Sequence, residues 1–104
     1  LDNSNRGTLA SDGKLHLIAA GNVVNATDGL IYSQGGDVEV DAAGLNNTLG
    51  TLQSQGALRV SVNKDVDNLN GRIIAQAGDL GVTAANLNSQ SGVLSSLQGA
   101  FTST

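Results

Sequence analysis

Residues 45–60 read LNNTLGTLQSQGALRV, and residues 1–17 read LDNSNRGTLASDGKLHL. Both hold an aliphatic residue, an Asn, a Gly and then alternating apolar positions in the same order. Aligned on the opening aliphatic residue, the unit recurs at Leu1, Val23, Leu45, Val66 and Leu87. Two positions on come Asn3, Asn25, Asn47 and Asn68, with Ser89 in the fifth unit. A Gly follows each time, at Gly7, Gly29, Gly50, Gly71 and Gly92. Two residues past it stand Leu9, Ile31, Leu52, Ile73 and Leu94, and then a second Gly at Gly13, Gly36, Gly56, Gly78 and Gly99. Each unit ends in alternation: Leu15, Val38, Leu58, Leu80 and Phe101, then Leu17, Val40, Val60 and Val82, then Ala19, Ala42, Val62 and Ala84.

Alternation with period two means strands that bury one face. Identical residues at identical phase in every unit mean that each residue stacks on its counterpart one unit away. Short strands bounded by Gly and Asn at a fixed period predict a solenoid. A leucine-rich repeat would need an L-x-x-L-x-L-x-x-N spacing that is absent, and an antiparallel sandwich would not need the phase. The expected fold is all-β: a right-handed parallel β-helix of about five coils, 21–22 residues each. The whole of 1–104 reads as one β-helix segment, with coils over 1–22, 23–44, 45–65, 66–86 and 87–104. Leu1 opens in the middle of the pattern, so the segment is expected to be a fragment of a much longer filament.

Coils about 4.8 Å apart would make a rod about 24 Å long. The core columns are Leu9, Ile31, Leu52, Ile73 and Leu94, and Leu15, Val38, Leu58 and Leu80. The first Gly column is expected at corners of positive φ. The Asn column has two open roles: a left-handed corner, which Asn tolerates, or amides hydrogen-bonded from coil to coil. One-residue insertions fall in corners, where the columns survive them.

Composition narrows the function. The chain carries fourteen Gly, no Pro, no Cys, one Tyr and one Phe, and its net charge is -4. The acidic residues are scattered, and without a basic patch no nucleic-acid partner is expected. No stretch approaches the roughly 18 apolar residues of a membrane span, and no signal peptide is expected within these residues. The lack of Cys removes disulfides and thiolate metal sites.

Stacking places His16, Glu39, Arg59 and Gly81 in one outward column, and Lys14, Asp37, Ala57 and Asp79 in another. Glu39 is expected between His16 and Arg59, and Lys14 beside Asp37. His16 reads as an outward strand residue, not a ligand or a base. Asp37 and Asp79 lie two coils apart, about 9.6 Å by strand spacing, too far to share a metal. Asp12, Asp28, Asp65 and Asp67 sit at different phases. No catalytic, metal-binding or cofactor-binding residue is expected, and no cofactor: the chain does not read as an enzyme.

LDNSNRGTLASDGKLHLIAAG, residues 1–21, and VDNLNGRIIAQAGDLGVTAAN, residues 66–86, carry a resemblance. They resemble the hemagglutinin repeats of filamentous hemagglutinin and of contact-dependent growth inhibition exoproteins, with the pattern L-x-N-x-x-G-x-I-x-A-x-G-x-L-x-L-x-A. The resemblance implies a secreted bacterial surface filament exported through the outer-membrane transporter of two-partner secretion. It implies a structural stalk whose partners are the adjacent coils of the same exoprotein, an adhesin or a toxin-delivery filament. The alternative is an outward face that binds a target-cell receptor or glycan, with Tyr32, Glu39 and Arg59 as contacts. A polysaccharide-acting β-helix ranks below both.

Overall fold

The structure is a computed structural model and describes residues 1–103. The final residue of the unit read over 87–104 thus lies outside the described residues. The strands come three to a coil. In chain order they begin with β1 (Thr8–Ser11), β2 (Leu15–Ile18), β3 (Asn22–Val24), β4 (Leu30–Ser33), β5 (Val38–Ala42) and β6 (Gly44–Asn46). Next come β7 (Thr51–Ser54), β8 (Leu58–Val62) and β9 (Asp65–Asp67), then β10 (Arg72–Ala75), β11 (Leu80–Thr83) and β12 (Asn86–Asn88). β13 (Val93–Ser96) and β14 (Phe101–Ser103) complete the set.

Every third strand joins the same sheet. The first sheet runs β1-β4-β7-β10-β13, the second β2-β5-β8-β11-β14 and the third β3-β6-β9-β12. All strand pairs are parallel, and the fold is an all-β parallel solenoid of about five turns, with no helix among the described residues. Its extents are 26 × 26 × 25 Å, so the stack of coils is about as tall as it is wide.

The register follows from the apolar columns. Ile31 pairs with Leu9 and Leu52, and Ile73 with Leu52 and Leu94. Val38 pairs with Leu15 and Leu58, and Leu80 with Leu58 and Phe101. A slip by one residue would turn each of these side chains to water. Ile31, Leu52, Leu58, Ile73 and Leu80 are fully buried, each contributing on the order of 1.5–3 kcal/mol. Leu9, Leu15 and Leu94, in the outer coils, are partly buried, and Phe101 is 44% exposed.

The corners correct two expectations. Among the described residues no Gly has positive φ, and neither does any of Asn3, Asn25, Asn47 or Asn68. The left-handed conformation belongs to Asn5, Thr27, Leu49, Asn70 and Ser91, with φ between 53° and 60°. Backbone N–H groups of Asn5, Thr27, Leu49 and Asn70 donate to Ala26, Thr48, Leu69 and Gln90, which stacks these residues as a column of their own. The extra residue in the first two coils, Arg6 and Asp28, is also left-handed, at φ 65°. The insertion is therefore absorbed by a second left-handed residue.

The Gly column exists for a different reason. A Cβ on Gly29 would sit 2.5 Å from Asn25 Oδ1 and 2.6 Å from the Asn3 carbonyl oxygen. On Gly50 it would overlap the Asn25 carbonyl, and on Gly71 the Asn47 carbonyl. Gly is needed because the backbone of the coil below passes where a side chain would be.

Candidate functional site

The most built polar feature of the molecule is the corner between the third sheet and the first. Asn3 Nδ2 donates to Asn25 Oδ1 at 2.9 Å, Asn25 Nδ2 to Asn47 Oδ1 at 2.8 Å, and Asn47 Nδ2 to Asn68 Oδ1 at 2.8 Å. Asn68 Nδ2 then donates to Ser89 Oγ at 3.1 Å. The other amide hydrogen of each Asn goes to backbone. Asn25 Nδ2 reaches the Thr51 carbonyl at 2.8 Å, Asn47 Nδ2 that of Arg72 at 2.9 Å, and Asn68 Nδ2 that of Val93 at 3.0 Å. Each amide thus ties the third sheet of its own coil to the first sheet of the next. Asn25, Asn47 and Asn68 are completely buried, and no buried side-chain nitrogen or oxygen among the described residues lacks a partner. Such a ladder fixes spacing and register; its donors and acceptors are already spent.

The opposite corner has a second polar column that the apolar phase does not single out. Ser11 pairs with Ser33, and Ala75 with Ser54 and Ser96. Ser33 Oγ donates to the Gly13 carbonyl at 2.5 Å and accepts from Gly36 N–H at 3.0 Å; Ser54 Oγ donates to the Gly56 carbonyl at 2.8 Å. Its signal in the sequence is a small residue two places after Leu9, Ile31, Leu52, Ile73 and Leu94. The third sheet begins its corner with side-chain caps as well. Ser4 N–H donates to Asp2 Oδ1, and Thr48 N–H to Asn46 Oδ1. The Ser4 hydroxyl, followed by that backbone N–H, holds the Asp2 carboxyl below its ordinary pKa.

On the outward face of the second sheet, Glu39 pairs in register with His16 and Arg59. Its carboxylate lies 3.5 Å from His16 Nε2 and 3.6 Å from Arg59. Lys14 does not pair with Asp37 as its column suggests. Its ammonium is 3.9 Å from Glu39, while Asp37 Oδ1 accepts the Ala57 N–H at 2.9 Å. Asp79 does the same for Ala100 N–H at 2.9 Å. A short carboxylate at this corner caps the turn of the next coil, so it is drawn along the stack and away from the lysine. His16 also meets a group that column stacking does not reveal: its Nε2 is 2.6 Å from Asp41 Oδ2, diagonally across the β2–β5 pair.

The pattern of the haemagglutinin repeat matches residues 1–33, 25–68 and 35–104. The chain belongs to the haemagglutinin repeat family. No curated protein and no solved structure matches it.

In this haemagglutinin repeat segment the three outward residues with contact potential are not brought together. Glu39 and Arg59 lie on the second sheet, whereas Tyr32 lies on the first, in register with Ala10 and Gln53. The concavity along the second sheet, lined by Asp37, Glu39, Arg59, Asp79 and Gly81, has a volume of about 230 Å³ and excludes Tyr32. No helix among the described residues is long and apolar enough to cross a membrane.

Proposed function

We propose that the chain is a stalk segment: a rigid β-helical spacer in a large secreted bacterial surface exoprotein. The filament would be an adhesin or a toxin-delivery protein exported by two-partner secretion. The observation that supports this reading is the coil-to-coil repeat itself. Three sheets and one amide ladder run through the stack in constant register. Each added coil extends all four, so length can grow by about 4.8 Å per coil without a new solution to folding. The buried Asn amides are spent on joining coils, which suits a spacer whose partners are further coils of the same protein.

The test uses the exoprotein that carries this segment. Tyr32→Ala, Glu39→Ala and Arg59→Ala together remove the outward residues best suited to a receptor or glycan contact. Cell binding should be unchanged while the circular dichroism spectrum stays the same. Lost binding in a folded triple variant would replace the spacer with a receptor-binding face. As a positive check, deleting the whole coil 45–65 should leave a folded, shorter protein, because Val23 would then meet Val66 and Asn25 would meet Asn68. A deletion that unfolds the protein would show that coils are not interchangeable units of length.

A further inference from the structure

We propose that His16, Glu39 and Asp41 form a binding site for a divalent first-row transition ion, with zinc the best fit. One imidazole nitrogen and two carboxylate oxygens lie within 4.8 Å of one another on the outward face of the second sheet. The imidazole separates this cluster from an ordinary acidic patch. It suits zinc, copper or nickel, whereas calcium and magnesium favour oxygen-only ligand sets.

The backbone sets the site. His16 lies on β2, and Glu39 and Asp41 are two residues apart on β5, so parallel pairing presents all three to the same side. A tetrahedral ion with bonds of about 2.0–2.1 Å needs ligand atoms about 3.3 Å apart. His16 Nε2 and Glu39 Oε2 are 3.5 Å apart, close to that edge. Asp41 Oδ2, at 2.6 Å from Nε2, must swing outward slightly, and its side chain is 50% exposed and free to do so. The fourth position faces solvent and takes water.

Two cations compete with the metal for Glu39. Lys14 and Arg59 sit 3.9 and 3.6 Å from its carboxylate. Their side chains are 60% and 73% exposed, and exposed pairs of this kind contribute only about 0–1 kcal/mol. An ion held by three ligands displaces them. His16 is the one His of the chain, so the stoichiometry is one ion per chain. Because the ligands come from two coils, the ion clips the first coil to the second, where Leu9, Leu15 and Leu17 are only partly buried.

The experiment titrates the 104-residue chain with zinc chloride, by calorimetry and by thermal unfolding. Saturable binding of one ion and a rise in melting temperature are expected, with slower amide exchange in β2. His16→Ala and Asp41→Asn should each weaken binding at least about tenfold, since even outer partners of metal ligands carry that much. Arg59→Gln should tighten it by removing a competitor. All three side chains point outward, so the fold survives these changes. Absence of saturable uptake, undiminished affinity in a folded His16→Ala variant, or calcium bound as tightly as zinc would each overturn the site.

Discussion

Two polar columns run the length of this stack and obey opposite rules. The inner one repeats a single residue through four coils before Ser89, with Asn25, Asn47 and Asn68 completely buried. The outer one changes at every coil: His16, Glu39, Arg59 and Gly81. Burial explains the difference. An amide carries both donors and an acceptor, so it complements a copy of itself one coil away. An aspartate in its place would face acceptors with acceptors at a position that is completely buried. On the outer face water satisfies whatever is left unpaired, so any sequence that avoids stacked like charges is tolerated. Repetition in this chain is therefore enforced from within.

The largest effect should come from placing a charge on the inner side. Leu52 is fully buried between Ile31 and Ile73. Leu52→Asp should unfold the chain, since an unpaired buried carboxylate costs several kcal/mol. Gln53→Asp, one residue on and facing outward, should leave the melting curve nearly unchanged. Equal losses from the two variants would erase the distinction between the faces.

Next in size is the ladder. Asn47→Ala should lower the free energy of unfolding by about 3 kcal/mol, measured by urea denaturation. It strands Asn25 Nδ2, Asn68 Oδ1 and the Arg72 carbonyl in the interior, and each unsatisfied group costs about 1–3 kcal/mol before relaxation. The backbone at Asn47 is not left-handed, so none of this loss is conformational strain. A change below about 1 kcal/mol would mean that water enters the corner and replaces the amide.

The outer column should respond less than the ladder. Arg59→Ala removes an exposed partner of Glu39 at 3.6 Å and should cost no more than about 1 kcal/mol. A loss as large as that at Asn47 would show that the outer column also sets the register.

What the sequence made legible is what burial enforces. The phase of Leu52 against Ile31 and Ile73, and of Asn47 against Asn25 and Asn68, could be read because each position repeats its chemistry. Register also made His16, Glu39 and Arg59 neighbours on paper. Reach did not follow from register. Asp41 meets His16 along a diagonal, and Lys14 passes over Asp37 to Glu39 because a long side chain is not confined to its own column. The left-handed corner was hidden for another reason. Its occupants, Asn5, Thr27, Leu49, Asn70 and Ser91, share no chemistry, and a repeating Gly nearby drew the assignment of positive φ. Gly there answers to a neighbour's backbone, which spacing within one coil does not disclose.

That mixed corner column supplies the smallest test, and the one expected to raise stability. Thr27 is exposed and has φ 54°, a conformation disfavoured for a β-branched residue. Asn occupies the equivalent place in the first and fourth coils, at Asn5 and Asn70, with φ 56° and 53°. Left-handed backbone costs most residues roughly 1–2 kcal/mol, and Asn less because its side chain can bond locally. Thr27→Asn should therefore raise the free energy of unfolding by about 0.5–1 kcal/mol, part of that penalty. The N–H of residue 27 would still donate to the Thr48 carbonyl at 2.9 Å, so the ladder is undisturbed. Urea denaturation of the two forms, compared at equal slope, measures the gain. A gain would place this column with the outer face, where the residue is free and only the backbone is constrained. A loss would show that the Thr27 side chain itself supports the corner, and the column would join the Asn ladder among the positions whose chemistry the stack dictates.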